Sequence, residues 1–326
     1  MLNDHNNVVI FDKTGIPSIM VRFERPKDAK EVPAMFIIEG QVVDAIYISK
    51  YPNKVINGRA YSLPMVEPTT HVDFDEAVQA CRAKGKGWHL MTAVEWEYVL
   101  NQSRAKGVLP RGNTCYGRNH YYKKETGDTM RCKYGKTLAG SGPKTWNHDH
   151  TIYGVSDMCG NVWEWVAGLR LKNGVVEYIK DNNAATEACD LSEDSKEWQQ
   201  IRTNRGTVRV DIKNGDIAIV DSPIHEEYEP DYGCVKIEDL IVDLENVPQA
   251  LKDVGIAPDT RLDIEKGESG WFDATEERLP LRGSSFHGAS SSGASALFLH
   301  HARTSSYGDI GFRSAFYEVN EKRITD

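Results

Sequence analysis

The sequence predicts an α+β fold of short, irregular strands with two main helices. Three observations lead there: short apolar runs bounded by turn signals, two amphipathic stretches that each open on a capping-box spacing, and long Gly- and Asn-rich connections without a period. At 326 residues the chain exceeds a typical domain, which leaves either one domain with an insertion or two domains.

Residues 8–11 (VVIF) and 18–23 (SIMVRF) read as two strands around the turn Asp12-Lys13-Thr14-Gly15, a small N-terminal hairpin. Residues 35–38 and 45–49 are again strand-like. From Asp73 to Lys84 the residues Phe74, Ala77, Val78 and Cys81 recur at helical spacing, with Asp73 able to cap the helix and Glu76 three residues on. Thr92 and Glu95 give the same capping-box spacing ahead of a second helix. Residues 101–150 are rich in Gly, Asn, Tyr and Lys and read mostly as loop, and long loops of this kind are usually functional or anchored. Beyond residue 170, segments 175–179, 208–212 and 216–220 read as strands, the last two joined by the hairpin signal Lys213-Asn214-Gly215. The acidic run 226–231 reads as a solvated face or loop.

Composition excludes several classes. A net charge of -9 and a pI near 5.6 argue against attraction to nucleic acid or an anionic membrane. No run approaches the ~18 apolar residues of a membrane span, so no membrane insertion is expected. The start, MLNDHNNVVIFDK, lacks the basic-then-apolar pattern of a signal peptide, from which a chain that is not Sec-exported is expected. Cys81, Cys115, Cys132, Cys159, Cys189 and Cys234 are widely spread with no C-x-x-C spacing and read as reduced thiols; a disulfide between Cys115 and Cys132 is the minority reading.

The most unusual stretch is residues 281–316, LRGSSFHGASSSGASALFLHHARTSSYGDIGFRSAF. Its ends, Leu281-Arg282-Gly283 and Ile310-Gly311-Phe312-Arg313, look like structural signatures, while residues 284–309 contain no Lys, Glu, Gln, Met or Trp. Leu297 and Leu299 alternate with Phe298 and His300, which on a strand puts the leucines on one face and Phe298 and His300 on the other. His300 and His301 are adjacent, and neighbours on a strand point apart, so with His287 they read as surface histidines at a contact site rather than as a chelate.

The segment Tyr153-Gly-Val-Ser-Asp157-Met-Cys-Gly160-Asn161-Val162-Trp163-Glu164-Trp165 resembles the G-x-x-D-M-x-G-N-V-W-E-W signature of the formylglycine-generating enzyme (sulfatase-modifying factor) family, a variant of the C-type lectin fold. Tyr47 to Tyr51 is similar to that family's early strand, His89 to Tyr98 to its R-L-P-T-E-A-E-W-E-Y helix start, and the R-G-S and G-F-R pieces close it in order. The resemblance covers about residues 35–169 and 279–319 and implies one C-type-lectin-like domain over 1–326. It divides into an N-terminal hairpin 1–34, a first part of the core 35–169, an insertion 170–278 containing a β-hairpin, and a C-terminal variable region and closing strand 279–326. It implies that residues 310–319 pair with strands of the first fifty residues.

Two chemistries of that family are then tested against the residues. Its oxidases bind copper through a cysteine pair in the C-terminal segment, because monovalent copper wants thiolate ligands. Residues 281–326 hold no cysteine, and serines such as Ser290 and Ser295 lie roughly where the thiols belong, so an oxidase is the disfavoured alternative and no catalysis or required cofactor is expected. The family also implies a structural calcium, held by the Asp157 side chain, the carbonyls of Gly160 and Val162, and Glu164. The other reading of these residues is that Asp157 and Glu164 bond only to loop groups while Trp163 and Trp165 pack the core.

The C-terminal segment also resembles that of the variable proteins of diversity-generating retroelements, R-G-G-S-W-N-N-G…A-L-N-L-N-N-A-R-S…N-N-N-I-G-F-R. Arg282, Gly283, Ser285, Gly288, Ala296, Leu297, Leu299, Ala302, Arg303, Ile310, Gly311, Phe312 and Arg313 match its fixed letters. Phe286, His287, Ser290, Ser292, Ser295, Phe298, His300, His301, Ser305, Tyr307, Gly308 and Asp309 fall at or near the varying ones. In that family template adenines are copied with errors, and an AAC codon altered at its adenines never yields Lys, Glu, Gln, Met or Trp, the five absences noted above. The resemblance implies a non-catalytic, phage-encoded virion protein that binds a host-surface protein or glycan receptor and contacts other virion proteins. A structural virion component with an ordinary loop is the remaining alternative.

Overall fold

The computed structural model describes residues 6–213, 215–222, 232–257, 261–262 and 265–319. Its first strands, Asn7–Phe11 and Pro17–Glu24, pair antiparallel, and the Asp12 carboxylate fixes the turn between them by accepting from Thr14 N–H, Thr14 Oγ1–H and Ile16 N–H at 2.8–2.9 Å. Pro17–Glu24 then pairs with Ala45–Ser49, and the C-terminal strand Ser314–Phe316 inserts between Ala45–Ser49 and Trp88–Leu90. The end of the chain is thereby sewn into a sheet built from its beginning.

Both capping boxes form. Helix α1 (Phe74–Arg82) is capped by Asp73 with Glu76, and helix α2 (Ala93–Ala105) by Thr92 with Glu95, each side chain accepting from the other's backbone N–H. In α2 the fully buried Trp96 donates its indole N–H to the Ala294 carbonyl at 2.9 Å, which ties the helix to the C-terminal segment.

A larger sheet carries that segment. In order its main strands are Tyr232–Lys236, Ser269–Asp273, Leu297–His301, Glu277–Arg282, Leu169–Lys172, Val175–Tyr178, Arg209–Lys213, Asp216–Val220 and Ile241–Asp243. Trp163–Trp165 pairs with Glu277–Arg282 on one side and runs parallel to Ile310–Phe312 on the other. Leu297 and Leu299 enter one core cluster, while Leu279, Leu281, Trp165 and Phe312 enter another. Full burial of each such leucine is worth about 1.5–3 kcal/mol over exposure.

Three expectations need correction. Residues 35–38 are not one strand: Ala34–Phe36 is a 3-10 turn, and only Ile37–Ile38 pairs, with Gln41–Val42. The α+β label holds only in part, because the described chain is mostly β, with a short third helix, Gln249–Asp253, beside the two expected. The 170–278 stretch is more than an inserted hairpin. Its strands extend the main sheet in both directions, and Ser269–Asp273 runs directly beside Leu297–His301. Asn214 of the expected hairpin turn and the acidic run 226–231 lie outside the described residues. All six cysteines are free thiols, Cys115 and Cys132 included. Among the described residues no helix is long and apolar enough to cross a membrane.

Candidate functional site

The segment 281–316 is held at both ends by buried charge. At its far end Arg313 is fully buried and forks onto Glu164, with Nε donating to Oε2 at 2.6 Å and Nη2 donating to Oε1. The remaining guanidinium donors reach the carbonyls of Ser49 at 3.2 Å and Ser156 at 3.1 Å. One arginine thus joins the first sheet, the 153–165 loop and the C-terminal segment.

This arrangement leaves Glu164 little to offer a calcium ion. Both oxygens of Glu164 are committed to Arg313, so the carboxylate is already neutralised by a cation of the chain itself. Asp157 is buried and its Oδ2 accepts from Gly140 N–H at 2.7 Å, with burial raising its pKa to about 6. The Gly160 carbonyl accepts from Val162 N–H at 2.9 Å. A calcium ion at Asp157, Gly160, Val162 and Glu164 would have to compete with Arg313 for Glu164 and with Gly140 N–H for one oxygen of Asp157. Among the described residues no group of three or more His, Cys, Asp or Glu side chains is placed to hold a metal ion.

At its near end Arg282 is 1% exposed and donates to Glu97 Oε2 at 3.2 Å. Glu97 also pairs with Arg104, which forks onto Glu265 at 2.9 and 3.0 Å. Ser295 belongs to this network rather than to a ligand-facing surface. Its hydroxyl donates to Glu265 at 2.6 Å and accepts from Arg104, and its N–H donates to Glu268 at 2.8 Å. Two further candidates are corrected with it. Phe286 is 7% exposed under the Tyr116 ring at 5.5 Å, and Ser292 is 8% exposed with its hydroxyl bonded to that of Ser284 at 2.7 Å. Phe286 is covered by a residue from elsewhere in the chain, and Ser292 is bonded within the segment itself.

The remaining candidates reach the surface. His287, Ser290 and Tyr307 are exposed, and Phe298, His300, His301, Ser305, Gly308 and Asp309 are half-buried. Six of them make one patch. Phe298 stacks on His300 at 5.6 Å and meets His301 edge-on at 4.6 Å, His301 lies 5.5 Å from Tyr307, and His287 Nε2 is 3.9 Å from Asp309 Oδ2. The two adjacent histidines do not simply point apart. Leu279 pairs with His301 and Leu281 with Phe298, so the strand carries an extra residue there, and this bulge turns His301 to the side that Phe298 occupies.

Trp271 and Tyr232 enlarge this patch and carry no sequence signal of their own for it, while the buried Trp163 backs it from the core. Trp271 is the direct strand partner of Phe298, with ring centroids 5.1 Å apart, and also meets Trp163 edge-on at 5.6 Å. Tyr232 meets His300 at 5.5 Å. The nearest hint is a Trp-Phe pair in the otherwise polar run Ser269–Asp273.

Ser290 and Ser292 line a cavity of about 800 Å³, together with Arg111, His120, Tyr121, Tyr122, Cys159 and Glu268. Burial, with Glu265 close by, lifts Glu268 to about 8, which keeps it protonated at neutral pH. One cysteine lines the cavity, and burial pushes the Cys159 thiol far up, away from the thiolate that nucleophilic or copper chemistry needs.

Residues 48–212, just over half of the chain, match the family described as the sulfatase-modifying factor enzyme 1-like domain. The chain belongs to that family. The match takes in the 153–165 signature and both capped helices, and it stops before the segment 281–316. Solved structures similar to this sulfatase-modifying-factor-like chain include PvdO from Pseudomonas aeruginosa, at 16% identity and a TM-score of 0.39, over 95% of this chain and 98% of that one. They also include the Major Tropism Determinant I1 variant, at 12% identity and 0.35, over 92% of this chain and 56% of that one. A third is Treponema denticola variable protein 1, at 13% and 0.35, over 96% and 99%. No curated protein matches the sequence.

Proposed function

We propose that the chain is a non-catalytic receptor-binding protein of the diversity-generating-retroelement type, carried on a virion, whose C-terminal surface binds a protein or glycan on a host cell. The observation that carries this reading is a partition within residues 282–313. Ten of the thirteen residues that match fixed letters are buried, with Gly288, Ala302 and Arg303 half-buried, whereas nine of the twelve residues at or near varying letters are exposed or half-buried. A segment arranged so can change its outward letters without touching its anchors. The exposed set mixes aromatics, Ser and His, which supply contact area at low rotamer cost with adaptable hydrogen bonding. Against an oxidase stand the missing thiol pair in residues 281–326 and the protonated state of Cys159.

Sequencing the DNA that flanks the coding region tests the reading. A nearby reverse-transcriptase gene is expected, with a repeat that differs from the codons for residues 284–309 mainly at adenines. A flank without such a repeat contradicts it.

A further inference from the structure

The insertion strands Tyr232–Lys236 and Ser269–Asp273 lie side by side with Leu297–His301, and the rung Cys234, Trp271, Phe298 crosses all three. On this side Tyr232 is 66% and Tyr307 54% exposed, with Trp271, Phe298, His300 and His301 half-buried between them. We propose that Trp271 and Tyr232 join Phe298, His300, His301 and Tyr307 in one site for a neutral, hexose-containing glycan; this rests on the receptor-binding reading above and names its ligand class.

The chemistry of the surface selects that class. Aromatic rings carry negative charge on their faces, which suits the electropositive C–H face of a pyranose. The rings are tilted against one another, at 5.1 Å for Trp271 with Phe298, or edge-on, at 5.5 Å for Tyr232 with His300, so they offer a row of partial faces rather than one flat stack. A protein anchor residue wants a deep, fully desolvated pocket, and none of these six residues lines the cavity that Ser290 and Ser292 line. Sugar hydroxyls need partners that both donate and accept, and a neutral imidazole does both. Burial, with His300 beside it, lowers His301 to about 4, so its ring is neutral at physiological pH. Charge selects against acidic glycans. Among the described residues of this face Arg278 is paired with Asp273 at 2.8 Å and His287 sits 3.9 Å from Asp309, and the chain as a whole carries -9, which disfavours sialic acid, sulfate or phosphate.

The test is an array carrying neutral oligosaccharides of glucose, galactose, mannose and N-acetylhexosamines beside sialylated and sulfated ones, probed with the full chain and with Tyr232→Ala and Trp271→Phe. The first variant alters an exposed edge-strand residue and the second keeps an aromatic ring, so both are expected to melt with the parent. Binding to at least one neutral glycan is expected, weakened roughly tenfold or more in each variant, as for truncation of a central contact residue. The same sugar should change the tryptophan fluorescence of the parent on titration. Binding confined to sialylated or sulfated members, binding to none, or binding untouched in both variants overturns the glycan assignment. Retention on bacterial cells that survives periodate but not protease does so as well, because the receptor is then a protein. That last result, or an array failure alongside an adenine-biased repeat in the flanking DNA, leaves the receptor-binding reading standing; a flank without the repeat strikes that reading instead.

Discussion

Replacing Arg313 with alanine is expected to destabilise the fold by about 3–5 kcal/mol, the usual cost of stranding one partner of a buried ion pair. Glu164 is 1% exposed, so its carboxylate finds no water when the guanidinium is gone. The same change removes the donors that satisfy the carbonyls of Ser49 and Ser156. Urea unfolding followed by tryptophan fluorescence measures the loss. Glu164→Gln should cost less than Arg313→Ala, because the amide keeps one acceptor for the arginine, and a double Met replacement should recover part of the loss by removing both charges together. Equal stability of Arg313→Ala and the parent would show that the pair does not anchor the segment.

Gly160→Ala is expected to cost about 3 kcal/mol, combining ~1–2 kcal/mol for a left-handed non-glycine residue with the strain of overpacking. Gly160 has φ +72°, and a Cβ there would lie 2.2 Å from the Asn113 carbonyl oxygen, which is backbone and cannot swing aside. Its N–H donates to Gly283 O at 2.7 Å, so the same change loosens the joint between the signature loop and the start of the C-terminal segment. A drop in melting temperature with faster amide exchange around Gly283 is the expected result, read by calorimetry and hydrogen exchange. Unchanged melting would place the backbone elsewhere.

What could be read from the sequence was local or carried by a motif. Asp73 with Glu76 and Thr92 with Glu95 announce their helices because a capping box closes within one turn. The insertion was illegible for the opposite reason. Trp271 gains its meaning only beside Phe298, and no turn signal tells a strand which distant strand it will join. Ser295 reads as one more small polar letter until Glu265 and Arg104 close on it. Glu164 carries the same ambiguity: a carboxylate looks alike whether it faces a metal or an arginine 149 residues further on. Phe286 was placed outside by pattern and lies inside because Tyr116, from a loop with no periodicity, covers it.

The separation of anchoring letters from outward letters is open to one direct measurement. One library varies the codons of His287, Ser290, Phe298, His300, His301, Ser305, Tyr307 and Asp309 as NNC, and a second varies Phe286, Ser292 and Ser295 in the same way; both are scored for folded protein by display and protease resistance. Members of the first should mostly fold and melt within about 5 °C of the parent, as surface changes of a few tenths of a kcal/mol allow. Members of the second should mostly fail. Equal loss of folding in the two libraries would contradict the partition on which the receptor-binding reading stands.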